Sequence, residues 1–121
     1  MLEALKLAGR TLLIVEDDMF IATAMREYLL EAGADMAEMC ATVAQARELV
    51  EMTRFDAAVL DLTLPDGPIT DLAEVLDANG TRIVFHTGRP LPEDVMQRLP
   101  DAKVLMKPSQ PQALLDILAS F

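Results

Sequence analysis

Glu16-Asp17-Asp18, Asp61, Thr87 and Lys107 are the residues whose types and positions could do chemistry together. Each closes an apolar run. TLLIV (11–15) stops at the acidic trio, AAVL (57–60) at Asp61, RIVFH (82–86) at Thr87 and KVLM (103–106) at Lys107. A carboxylate at the tip of a buried run costs free energy unless the tip meets water or a cation. Two carboxylates about 4 Å apart repel by roughly 4 kcal/mol at an effective dielectric near 20. Gathered acids therefore raise one another's pKa or recruit a cation. A hard divalent ion with oxygen ligands relieves the repulsion, and magnesium suits a shell shared by few carboxylates and several waters. Lysine can neutralise part of such a cluster or hold an anion, and threonine offers a hydroxyl donor. Carboxylates, a metal, a lysine and a hydroxyl together make a site for phosphoryl transfer, where positioning and charge neutralisation do most of the catalysis.

These residues are far apart in sequence, so the fold must gather them. After the acidic trio, Phe20, Ala24, Met25, Tyr28 and Leu29 recur at helical spacing, and Gly33 supplies a stop. A weaker strand covers roughly 35–40. Thr42 with Gln45 three residues later makes a capping-box start for a helix over ATVAQARELVEM. Strand AAVLD leads to an LPDGP turn, in which Asp66 is the turn's own polar residue. A helix over about 69–78 closes at Asn79-Gly80. RIVFHT and KVLMK are the fourth and fifth strands, and PQALLDILASF is a final helix with proline near its start. Between Thr87 and Lys103, RPLPEDVMQRLP holds three prolines and about two turns of plausible helix, which predicts a short or mobile fourth helix.

Strands separated by helices imply right-handed crossovers and a parallel sheet covered on both faces. The expected fold is α/β, a doubly wound five-stranded flavodoxin-like sheet of order 2-1-3-4-5, with ligands beyond the carboxyl ends of strands 1 and 3. That edge is where the acids, Thr87 and Lys107 would meet. No internal repeat or low-complexity segment is visible. Residues 1–10 read as an extension, 11–121 as one domain, and no effector domain is expected after the last helix.

The 121 residues are 52% hydrophobic and 25% charged, which suits one globular domain. A formal charge of −10, from 20 acidic and 10 basic side chains, repels nucleic acid and anionic membrane, and no basic stripe reverses it. No apolar run approaches the roughly 20 residues needed to cross a bilayer. The opening MLEALKLAGR lacks the sustained apolar block of a secretory signal. A single cysteine, Cys40, excludes an internal disulfide and points to a reduced, cytoplasmic setting. Cys40 itself reads as a small buried residue, and His86 as a packed strand residue rather than a phosphodonor.

LLIVEDD, VLDLTLPDG, FHTG and MKP, in this order and spacing, resemble the response-regulator receiver domain of two-component signalling over about residues 11–121. The resemblance implies that Asp61 accepts a phosphoryl group from a phosphohistidine on a histidine kinase or phosphotransfer protein. Glu16 and Asp17, with Asp61 and the backbone carbonyl of Thr63, would hold Mg2+ (or Mn2+). Thr87 matches the switch hydroxyl and Lys107 the lysine that ion-pairs with the phosphoryl group, with Lys107-Pro108 cis. Asp18 would start the first helix rather than bind metal. Thr63 and Arg89 occupy positions that tune phosphoryl lifetime, where Arg89 could contact phosphoryl oxygens or point into solvent.

FHTGRP resembles a subgroup with a phenylalanine-x-threonine-glycine signature and an irregular fourth helix. Where receivers usually carry Tyr or Phe, three residues before the lysine, this chain has Val104, so an aromatic rotamer switch is not available there. Ordering of residues 88–102 on phosphorylation is the expected substitute. Kinase docking is expected near the first helix and the fifth-strand loop, on Met19, Phe20, Thr23, Pro108 and Pro111, although Phe20 also reads as a core residue. The expected state is a monomer or weak dimer.

The competing enzymatic reading is a magnesium-dependent phosphohydrolase using an aspartyl-phosphate. It wants a second aspartate two residues after the nucleophile, where this chain has Thr63. A receiver serving as phosphate sink, a fragment of a hybrid kinase and a degenerate scaffold are further alternatives. The scaffold reading suffers because the whole charged set is present.

Overall fold

The computed structural model describes residues 6–121. Its elements are β1 (Thr11–Val15), α1 (Met19–Glu31), β2 (Met36–Cys40), α2 (Val43–Met52), β3 (Ala57–Leu60), β4 (Thr63–Leu64), β5 (Gly67–Pro68), α3 (Thr70–Ala78), β6 (Arg82–Thr87), α4 (Glu93–Arg98), β7 (Lys103–Met106) and α5 (Pro111–Ala119). The five long strands form one parallel sheet in the order β2-β1-β3-β6-β7, the doubly wound 2-1-3-4-5 arrangement anticipated. β4 and β5 are an addition. They pair antiparallel, Thr63 with Pro68, so the expected turn is a small hairpin. Gly67 closes it at φ +131, a conformation that side chains other than glycine rarely adopt.

Side-chain alternation along the strands divides the core. Leu12, Ile14, Ala57, Val59 and Val84 face one side, where Ala22, Leu29, Leu114, Leu115 and Leu118 of α1 and α5 cover them. Leu13, Val15, Ala58, Leu60, Ile83 and Phe85 face the other, beneath α2, α3 and α4 with Phe55, Leu72, Leu76, Val95 and Leu99. Both faces are covered, which is why these strands read as continuous apolar runs instead of alternating ones.

Caps fix the helices. Asp18 accepts hydrogen bonds from the backbone of Phe20 and Ile21 and starts α1, as expected of it. That start sets the helix phase so that Ala22 and Leu29 point inward. Phe20, about 200° around the helix from Ala22, is 92% exposed, so its reading as a core residue is overturned. The Thr42 hydroxyl accepts from Gln45 N and Gln45 Oε1 accepts from Ala41 N, closing the predicted capping box one residue early. Asp66 is a second correction. Its carboxylate accepts from Val43 N at 2.8 Å and Ala44 N at 3.0 Å, so it ties the β4–β5 hairpin to α2 and does not merely serve its own turn.

α4 is short, six residues, as three nearby prolines predict. Val95 and Leu99 anchor it in the core, and Arg98 bridges to Asp71 and Glu74 on α3. Before β1, Leu7 is fully buried and Ala8 bridges to Ala34, so the extension is anchored through Leu7 while Lys6, Ala8 and Gly9 are exposed; Leu2 and Leu5 lie outside the described residues. Arg10 donates to the carbonyls of Leu118 and Phe121, joining the start of the domain to its end. Among the described residues no helix is long and apolar enough to cross a membrane.

Candidate functional site

Backbone pairing carries the ladder one residue past the strands and so aligns the side chains of interest. Glu16 N donates to Cys40 O at 3.0 Å, Asp61 N to Val15 O at 2.9 Å, and Lys107 N to Thr87 O at 2.8 Å. Glu16 and Asp61 therefore stand on adjoining strand ends, β1 and β3, at the point where strand order reverses. Asp17 follows Glu16 in the open loop before α1. The ligand atoms of Glu16, Asp17 and Asp61 lie within 4.8 Å of one another.

Lys107 reaches across from the end of β7. Its ammonium stands 3.1 Å from both Glu16 carboxylate oxygens and 3.1 Å from Asp61 Oδ2. Burial pulls the lysine pKa down, but hydrogen bonds to Asp61 and Glu16 outweigh it and hold the ammonium above its ordinary value. Glu16 is 2% exposed. Burial first, and then the adjacent Asp61 carboxyl, push its pKa up to about 7, while Lys107 opposes the rise. One ammonium does not fully offset two crowded carboxylates. The donor set is oxygen alone, on a partly open edge, and fits a hard divalent cation.

The remaining site residues are placed less tightly. Thr63 N contacts Asp61 Oδ1 at 3.4 Å and starts the hairpin. Thr87 is buried on the edge, but its hydroxyl accepts from Arg89 N and donates to Arg89 O, both at 3.1 Å, and makes no hydrogen bond to Asp61. Arg89 is exposed, and its side chain makes no hydrogen bond among the described residues. Lys107-Pro108 is cis. Val104 sits on the exposed side of β7. Cys40 is buried, and burial pushes its thiol up to about 11.

Two features were not anticipated. His86 Nε2 pairs with Ser109 Oγ at 2.9 Å, two residues beyond the lysine. Between α1 and α5 lies a cavity of about 500 Å3, bordered by Ile21, Met25, Tyr28, His86, Ser109 and Leu114. Neither has a sequence signature, because each depends on side chains from separate elements meeting over the sheet.

An open doubly wound sheet with acids, a lysine and a threonine on its carboxyl edge is the flavodoxin-like architecture in its CheY-like form. The family model for the response regulator receiver domain matches residues 12–119, and the chain belongs to that family of two-component signalling proteins. Similar solved structures include SdrG from Sphingomonas melonis Fr1, 33% identical, covering 97% of this chain and 96% of that one with a TM-score of 0.76. A CheY-like receiver domain from Methanospirillum hungatei JF-1 is 27% identical over 92% of this chain and 91% of that chain, with a TM-score of 0.81. One from Methylobacillus flagellatus is also 27% identical, over 92% and 97%, with a TM-score of 0.79. Among curated proteins none matches the sequence.

Proposed function

We propose that this receiver takes a phosphoryl group onto Asp61 from a phosphohistidine of a histidine kinase or phosphotransfer protein. An Asp61 carboxylate oxygen attacks phosphorus, an O–P bond forms as the P–N bond breaks, and the leaving imidazole takes its proton from water. The carrying observation is the placement of Asp61 at the strand switch, with Lys107 Nζ at 3.1 Å and the Glu16–Asp17 pair within 4.8 Å.

Glu16, Asp17, Asp61 and the Thr63 carbonyl would hold Mg2+ or Mn2+. Bound there, the cation would neutralise charge on the incoming phosphoryl oxygens. Lys107, already on Asp61, is positioned to ion-pair with the product. Thr87 would exchange its bonds to Arg89 for one to a phosphoryl oxygen, and Arg89 is free to swing over the group from its exposed loop. Hydrolysis of the acyl phosphate would be slow, because position 63 offers no carboxylate to activate water.

The donor would dock on Met19, Phe20, Thr23, Pro108 and Pro111, all exposed beside the site. An aromatic ring left in water at the rim of a reaction edge suits a partner contact. The chain would act as a monomer or weak dimer, its charge of −10 disfavouring self-association.

Incubation with acetyl phosphate and Mg2+, followed by intact-mass measurement, tests the reading. The parent should gain a single phosphoryl group, and Asp61→Asn or chelation should abolish it. Equal labelling of Asp61→Asn would overturn the assignment.

A further inference from the structure

His86 is an unusual occupant of its position. Strand alternation places it on the same face as Val84, over the α1–α5 half of the core, and it is 4% exposed. Its Nδ1 is buried without a hydrogen-bond partner. An orphaned buried nitrogen costs on the order of 1–3 kcal/mol, and an aliphatic side chain there would avoid it. What the imidazole provides instead is Nε2, 2.9 Å from Ser109 Oγ.

Ser109 belongs to the turn that joins β7 to α5 and carries Lys107. That turn borders the cavity of about 500 Å3, whose facing wall is formed by Ile21, Ala24, Met25 and Tyr28 of α1. Two hydrogen bonds tie it to β6: Lys107 N to Thr87 O, which fixes the backbone at the lysine, and the His86–Ser109 contact, which fixes the turn two residues on. Lys107 Nζ must span to Asp61 and Glu16 at 3.1 Å each, and a flexible four-carbon stem holds such a geometry only from a fixed base.

We propose that His86 is a positioning residue for Lys107, acting through Ser109 to hold the lysine turn against β6 so that the ammonium stays on Asp61. This rests on the phosphoacceptor reading above. The imidazole serves in either neutral tautomer, because Nε2 can donate to the serine oxygen or accept from its hydroxyl. Burial, the Lys107 charge and then the opposing Asp61 charge leave the ring with a lowered pKa, consistent with a neutral partner.

Ser109→Ala, His86→Leu, His86→Gln and the Ser109→Ala/His86→Leu double variant test this by the rate of Asp61 phosphorylation from acetyl phosphate at saturating Mg2+. Ser109→Ala and His86→Leu should each slow it about tenfold, since a displacement near 1 Å at a reacting centre can cost more. The double variant should be no slower than either single one, and His86→Gln, whose amide reaches the same serine, should recover most of the rate. Saturating Mg2+ keeps any change in metal affinity, which a displaced lysine would itself cause, out of the comparison. Parental rates in both single variants, or strictly multiplicative losses in the double, would overturn the proposal. A crystal structure of Ser109→Ala supplies a readout independent of phosphorylation: the lysine turn should shift off β6, and an unmoved ammonium would also overturn it. If the parent takes up no phosphoryl group, the functional reading fails instead, and the structural arm alone decides the role of His86.

Discussion

Burying Glu16 under Lys107 sets two demands against each other. The lysine offsets part of the charge on Glu16 and Asp61, yet it occupies the oxygens that a metal would take. Replacing it tests the balance. Lys107→Met leaves two facing carboxylates without a counter-charge and should destabilise the protein by about 2 kcal/mol in chelator. That is below the 3–5 kcal/mol of a fully buried pair broken from one side, because a quarter of the lysine side chain is exposed. Added Mg2+ should restore most of the loss, and urea unfolding with and without the ion measures both. His86 and Glu16 both contribute to the pH dependence, with opposite signs. The histidine's pKa is lowered by burial and by Lys107, against Asp61, so the unfolded chain binds the proton more readily. Its contribution to stability is therefore present above its ordinary value of 6.5 and lost as pH falls. Glu16, raised to about 7, acts in the opposite sense over the same range. The histidine's part is therefore read as a difference: the urea midpoint of the parent should fall relative to that of His86→Gln between pH 7.5 and 5.

At the scale of elements, what could be read from sequence was whatever lies within one segment. TLLIV and RIVFHT match their strands residue for residue, Asp18 and Thr42 cap the helices they were expected to cap, and α4 is as short as its prolines require. Spacing found Met25, Tyr28 and Leu29 on the buried face of α1 but misplaced Phe20, because Phe20 and Ala22 are both apolar and only packing against the sheet chooses between them. Asp66 was misread for a different reason. A turn aspartate and a distant helix cap have the same local sequence, and only folding brings the hairpin 2.8 Å from the α2 amides. Glu16, Asp61 and Lys107 were legible as a group because each ends a recognisable strand, whereas the His86–Ser109 pair spans two elements without a motif. Thr42→Ala should cost α2 about 1 kcal/mol, measured by urea unfolding. Amide exchange over 88–102, where six helical residues bear the structure, should slow on adding beryllofluoride with Mg2+; unchanged protection would remove this segment as the switch.

For the molecule as a whole, the two half-cores on either face of the sheet hold each other in register, so a cavity in one is felt throughout. Phe55→Ala removes a fully buried ring beneath α2 and α3 and should cost about 3–5 kcal/mol. Arg10 matters at the same scale although it precedes the family's matched span. Its two bonds to the carbonyls of α5 and Phe121 make a charged clasp, and Arg10→Ala should cost about 1–3 kcal/mol. Phe121 is held from a second side by Arg82, whose guanidinium lies 5.7 Å from the ring centre.

That clasp lies at the amino ends of the strands, a strand's length away from Asp61 at their carboxyl ends. A fluorophore or affinity handle attached at residue 121 would therefore project away from the reacting edge. Joining residue 121 to residue 6 through a short Gly-Ser bridge, and reopening the chain at exposed Asn79-Gly80, would yield a circular permutant with an undisturbed phosphorylation edge.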